Sequence, residues 1–272
     1  MKRTPDFTAV SIDALTIEDE ASFRHVPLYA SLKSVLRASR YRFRVLPQAK
    51  PPRWDRALFL NLTFWSASGD GDVLTSKRLA ADVVAHVAWH HLAAKALAKK
   101  PGAALSAEAM FLGESIASAF DLYLVGRLLG HAPASSFLET QVPAIAEATQ
   151  SAGMSGRAFE KMLRGIADDP AAAFEDLRAL LFDTTRALVH ATDVRAAARV
   201  LRGFDRHRFG ALLHHYELSN WVLYARAHAG RALGSDARAR AIDRSLREAA
   251  VSLDWLAASW VAPAEPKSQR VR

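Results

Sequence analysis

DVVAHVAWHH, residues 82–91, sets His86 and His90 four positions apart. On a helix that spacing puts both imidazoles on one face, one turn apart, a geometry in which two rings can bind one cation. Leu79, Val83, His86, His90, Ala93 and Leu97 follow alternating steps of four and three, so the pair lies on one stripe of an expected helix. His91 sits about 100° around the axis from His90 and is a poorer partner for His86. Further on, FLGESIAS, residues 111–118, belongs to a second expected helix on which Glu114, Ala117, Ser118 and Asp121 share a stripe. A glutamate facing inward among Phe111, Ile116, Phe120 and Leu124 needs a partner. The separation of His90 and Glu114, 114 − 90 = 24, suits two antiparallel helices joined by a short loop.

Outward from these runs, the chain changes character near residue 75. Before it, RYRFRV alternates strictly, with Arg40, Arg42 and Arg44 on one face and Tyr41, Phe43 and Val45 on the other, as in a half-buried strand. Ala57 to Trp65 is a candidate second strand. After it, Thr75 or Ser76 can cap a helix running to about Lys100, and a second helix is expected from about Ser106 to Leu129, with Gly130 placed to close it. Further helices are expected at 135–150, 156–167, 170–190, 193–202, 205–229 and 236–260. Asp169-Pro170 and Ser235-Asp236 supply good starts. The fold class is therefore mainly α with a small N-terminal β-sheet (α+β). One domain is expected over residues 1–262: a strand-containing part to residue 74, two central helices over 75–130 and a helical part over 131–262. A polar tail, 263–272, is expected to be disordered.

Half of the 272 residues are apolar and a quarter are charged, as in a globular protein able to bury a sizeable core. No run approaches the roughly 20 uninterrupted apolar residues of a membrane span, and no apolar segment follows the basic start, so a soluble, cytoplasmic chain is expected. With no cysteine, any metal must be held by His, Asp or Glu. The formal charge of +8 invites a nucleic-acid reading, for which Arg40, Arg42, Arg44, Lys50, Arg53 and Arg56 with Trp54 are the best candidates. Arginines solvating a strand explain the same pattern without a ligand, and no recognised nucleic-acid module surrounds them.

The run 82–91 resembles the first active-site helix of the gluzincin metallopeptidases, the thermolysin-like and aminopeptidase-like zinc hydrolases. The run 111–118 resembles their second, in which a glutamate is the third ligand. The resemblance covers about residues 55–130 and leaves the C-terminal half unplaced. It implies a zincin-like fold and a zinc ion held by His86, His90 and Glu114. It also exposes a departure: where the family carries the glutamate that acts as general base, this chain has Val87, which cannot move a proton. The family's supporting acid usually lies four residues after the third ligand. Here that position is Ser118, and Asp121 is the nearest carboxylate along the stripe, the expected orienter of His86 or His90.

The implied protein is a degenerate, metal-binding relative of these peptidases, without peptidase activity, acting on a protein or peptide partner by interaction or regulation. A different class of answer is an active metal-dependent hydrolase whose base comes from Asp121, His91 or Glu217. A third is a basic nucleic-acid-binding protein. His214-His215-Tyr216-Glu217, on the expected helix 205–229, offers donors for a developing oxyanion; the plain alternative is an ordinary amphipathic helix.

Overall fold

The computed structural model describes residues 7–47, 72–100, 102–229 and 235–262. The candidate strand Ala57 to Trp65, the basic residues Lys50, Arg53 and Arg56 with Trp54, and the tail 263–272 lie outside these. The described residues are mainly helical, 68% helix and 6% strand, with a small sheet component near the N-terminus.

At its centre is α3, Ala107–His131, which begins where Ser106, in extended conformation, accepts a hydrogen bond from the Ala109 N–H at 3.1 Å. Its sequence mixes small residues with large apolar ones all round the axis, and most of the helix is buried. It packs against α2, Ala81–Leu97; α4, Ser136–Ser151; α5, Gly156–Asp168; and α6, Pro170–Leu188. By length and composition α3 is apolar enough to cross a membrane, although Glu114 and Asp121 interrupt its apolar run. In its most apolar window 94% of the residues are buried inside the fold, as expected of a core helix.

Side-chain caps start the later helices. Asp169 accepts from Ala172 N–H ahead of α6, Asp193 from Ala196 N–H ahead of α7, Val194–Arg202, and Asp236 from Arg238 and Ala239 N–H ahead of α9, Ala237–Glu248. Between α7 and α9 lies α8, Leu218–His228, and a short α10, Ser252–Leu256, follows α9.

Among the described residues, five short strands form two small sheets. β1, Thr8–Val10, pairs antiparallel with β3, Phe43–Val45, which pairs in parallel with β4, Val73–Leu74. β2, Thr16–Glu18, pairs in parallel with β5, Arg78–Ala80.

Several expected boundaries move. The helix placed from Thr75 or Ser76 starts at Ala81, because residues 78–80 are extended to pair with β2. Only Phe43–Val45 of RYRFRV is strand. Arg40 instead ends α1, Tyr29–Ala38, an unforeseen helix: at φ 54° it lets Arg40 and Tyr41 N–H reach the Arg37 and Leu36 carbonyls. Arg44 lies over the Phe7 ring, 5.4 Å from its centroid. The expected helix 205–229 is α-helical only from Leu218, with a 3-10 turn at Gly210–His214 before it. Ahead of it the N–H groups of His207 and Gly210 bond three residues back, and Phe209 N–H bonds to His207 Nδ1, so local turns replace the helical ladder. The run 236–260 breaks at Ala249 and Val251, both extended. A straight helix of that length would span about 36 Å, past the end of the roughly 28 Å α6 on which α9 and α10 pack.

Candidate metal centre

The pairs His86 with Asp121 and His90 with Glu114 run in opposite directions along α2 and α3, so the helices lie antiparallel at this point. Their approach is close. A Cβ added at Gly113 would stand 3.1 Å from Ala93 Cβ, one position from Glu114 and three from His90. The missing side chain at 113 is what lets the two histidines meet the carboxylate.

One nitrogen from each of His86 and His90 and one oxygen from Glu114 all lie within 4.8 Å of one another, so this trio can hold a metal ion. Glu114 Oε2 is 3.1 Å from His90 Nε2, and Oε1 is 3.9 Å from His86 Nε2. Although close, His90 Nε2 and Glu114 Oε2 are both buried and neither makes a hydrogen bond. A buried ion-pair contact whose facing atoms make no hydrogen bond is under-satisfied in a bare protein and suits a cation between them. The centre is not sealed: the side chains of His86 and His90 are 18% and 13% exposed, against 7% for Glu114.

Two neighbours fix the donors. Asp121 Oδ2 lies 3.1 Å from His86 Nδ1. When that carboxylate is ionised it accepts from Nδ1–H, so that loss of the other ring proton frees the Nε2 lone pair facing Glu114. Ser118 Oγ donates to Glu114 Oε1 at 3.1 Å, so Ser118 steadies Glu114 while Asp121, three residues on, orients His86.

Charge follows the same geometry. Burial works against a charged His86, but the charge and hydrogen bond of Asp121, with Glu114 and Asp82, push its pKa up to about 9. Burial by itself would raise the Glu114 carboxyl; His90 and His86 hold it below the usual range. Asp82 went unnoticed in the sequence. It stands one turn before His86 on the same stripe, where burial and the charge of Asp121 push it up to about 6. The i, i+4 spacing of Asp82 and His86 was the signal that could have found it.

The other sequence candidates disperse. His91 packs edge-on to the Tyr41 ring, centroids 5.3 Å apart, and burial then Lys95 bring its pKa down to about 4. His215 and Tyr216 feel the charge of Asp121: burial dominates and lowers the His215 pKa against that charge, whereas burial and Asp121 together raise the Tyr216 hydroxyl. His214 and Glu217 are exposed beside a different groove, where Glu217 accepts a hydrogen bond from Asn220 Nδ2. Val87 is buried in the hydrophobic core.

Comparison with protein-family models, with curated proteins and with solved structures finds no match.

Proposed function

We propose that this chain is a zinc-binding protein with a degenerate gluzincin-type centre, which keeps the metal ligands and lacks peptidase activity, so that its role is interaction or regulation. The observation that carries the reading is the convergence of His86, His90 and Glu114 from two antiparallel helices, with Asp121 behind His86. Two imidazoles and one carboxylate leave a fourth tetrahedral position open, the ligand pattern of a catalytic rather than a closed structural zinc site. Bound there, zinc would supply Lewis acidity. Val87 supplies no group to hold or move a proton beside it. Incubation of the zinc-loaded protein with broad peptide libraries is expected to give no metal-dependent cleavage. Turnover that is lost in His86→Ala and on chelation would overturn the reading.

A second reading, a metal-dependent hydrolase with another base, draws on one specific observation: Asp121 keeps a buried oxygen, Oδ1, without a hydrogen-bond partner, close enough for its charge to reach Tyr216 and His215. It expects hydrolysis of some substrate class that Asp121→Asn abolishes at saturating zinc. Hydrolysis unaffected by that change, or none, removes it.

A further inference from the structure

α1 and α2 run the same way: Tyr29 feels the charge of Asp82, and the Tyr41 ring just past α1 meets His91, centroids 5.3 Å apart. Between these helices and the helical turn Ala257–Val261 that follows α10 lies a groove of about 870 Å³. Leu28, Val35, Leu92 and Trp260 give it apolar walls, and alanines from all three segments leave the space open. Leu28, at the head of α1, and Ser39, at its end, both line it, so the groove follows about 16 Å of helix.

The charge in the lining has one sign. Besides apolar residues the groove is lined by Ser31, Ser34, Ser39, Ser259 and Lys95, and among the described residues no carboxylate, carboxamide or imidazole joins them. Lys95 is exposed, and among the described residues no carboxylate lies within 4.0 Å of it. Its place in the last turn of α2, at the negative end of that helix, favours its charged form. Lys95, one turn beyond His91, and Ser39, two residues before Tyr41, fall at the same end of the groove. Ser39 Oγ already donates to the Leu36 carbonyl at 3.3 Å, which leaves the ammonium as the group that end offers a ligand. The other end, at Leu28, has no charged lining.

We infer that this groove binds a single-chain amphiphile with one anionic head, a medium-chain carboxylate, with its tail along α1 against Trp260 and its head on Lys95. Small-ligand sites of this volume are mostly apolar, with a few placed polar groups that fix orientation. One ammonium matches one negative charge, whereas a phosphate dianion or an acidic helix brings more charge and finds no second cation in the lining. A membrane surface is flat and asks for a convex apolar face, and this one is concave. None of these residues is a metal ligand, so the inference stands apart from the metal reading.

Calorimetric titration of the full, chelator-stripped chain with dodecanoate, below its micelle concentration, should show one molecule bound per chain. Octanoate, with a shorter tail, should bind at least about tenfold less tightly. Dodecyltrimethylammonium, which sets a cation against Lys95, should also bind at least about tenfold less tightly. Lys95→Glu should reverse the preference between the two heads, and Ser34→Trp, which fills the groove, should abolish binding of both. Both positions are exposed, so thermal melts should stay close to that of the unaltered chain. A double variant at His86 and His90 should bind dodecanoate unchanged. No dodecanoate binding at submillimolar concentration, equal binding of the two heads, several molecules per chain, or binding that survives both groove variants overturns the proposal. So does binding that needs zinc or the two histidines, tighter binding to phosphatidylcholine vesicles through the same residues, or a dimer of this chain that Ser34→Trp dissociates.

Discussion

His86 carries the pH dependence of the metal-free chain between about pH 6.5 and 9. Its folded pKa of about 9 lies above the ordinary 6.5, so its charged form stabilises the fold fully below about pH 6.5, and that contribution is lost as pH rises through about 9. The melting temperature of chelator-stripped protein should therefore fall between pH 6.5 and 9, and His86→Asn should flatten the fall. The same proton competes with a metal, so near neutral pH zinc binding should release close to one proton per chain from His86, measurable with an indicator dye in weak buffer. Asp121→Asn removes the charge behind that ring and should weaken zinc about 10–100-fold without abolishing it, by competition with a chelator of known affinity. The grouping of His86, His90 and Glu114 was legible because histidines four apart and an inward-facing glutamate each need a partner. Ser118 and Asp82 share those stripes, but whether a neighbour on a stripe bonds depends on the separation of α2 and α3, which no single helix encodes.

That separation is set at Gly113, and the prediction there is specific. Gly113→Ala places a methyl 3.1 Å from Ala93 Cβ and must push α2 and α3 apart by a few tenths of an ångström. Zinc affinity should drop more than stability does, as seen by comparing a chelator titration with a denaturant melt. Gly126→Ala acts elsewhere on α3: its Cβ would stand 2.5 Å from the Ile166 carbonyl oxygen, a backbone atom that cannot rotate away. A loss of roughly 1–3 kcal/mol is expected in denaturant unfolding. Helix starts were readable where a short polar side chain caps them, as at Ser106, Asp169, Asp193 and Asp236. Elsewhere local pattern misled. α1 was overlooked although Tyr29, Leu32 and Leu36 mark a buried helical stripe, and the turns before α8 come from the His207 ring competing for a backbone N–H. The pairing of β2 with β5 joins residues about sixty positions apart, and nothing within 78–80 announces it.

Beyond the centre, buried ion pairs tie the C-terminal helices to the core. Arg178, fully buried on α6, donates to Glu175 through Nε and Nη2 and to Asp243 Oδ1 on α9 through Nη1 at 2.9 Å; Glu108 on α3 accepts from Arg240 and Arg186. Arg178→Ala leaves Asp243 held by Arg247 alone and the part-exposed Glu175 without its partner, and should cost about 1.5–3 kcal/mol of unfolding free energy. Zinc acts on the same equilibrium from another place: at a hundred times its dissociation constant it should add about 2.7 kcal/mol if it binds only the folded chain. Elemental analysis of protein purified without chelator tests the centre most directly. The expected result is one zinc per chain, lost in His86→Ala and His90→Ala, reduced in Glu114→Gln, and unchanged when the exposed His131 is replaced. An unaltered chain that is metal-free and stays so after dialysis against zinc would contradict the account.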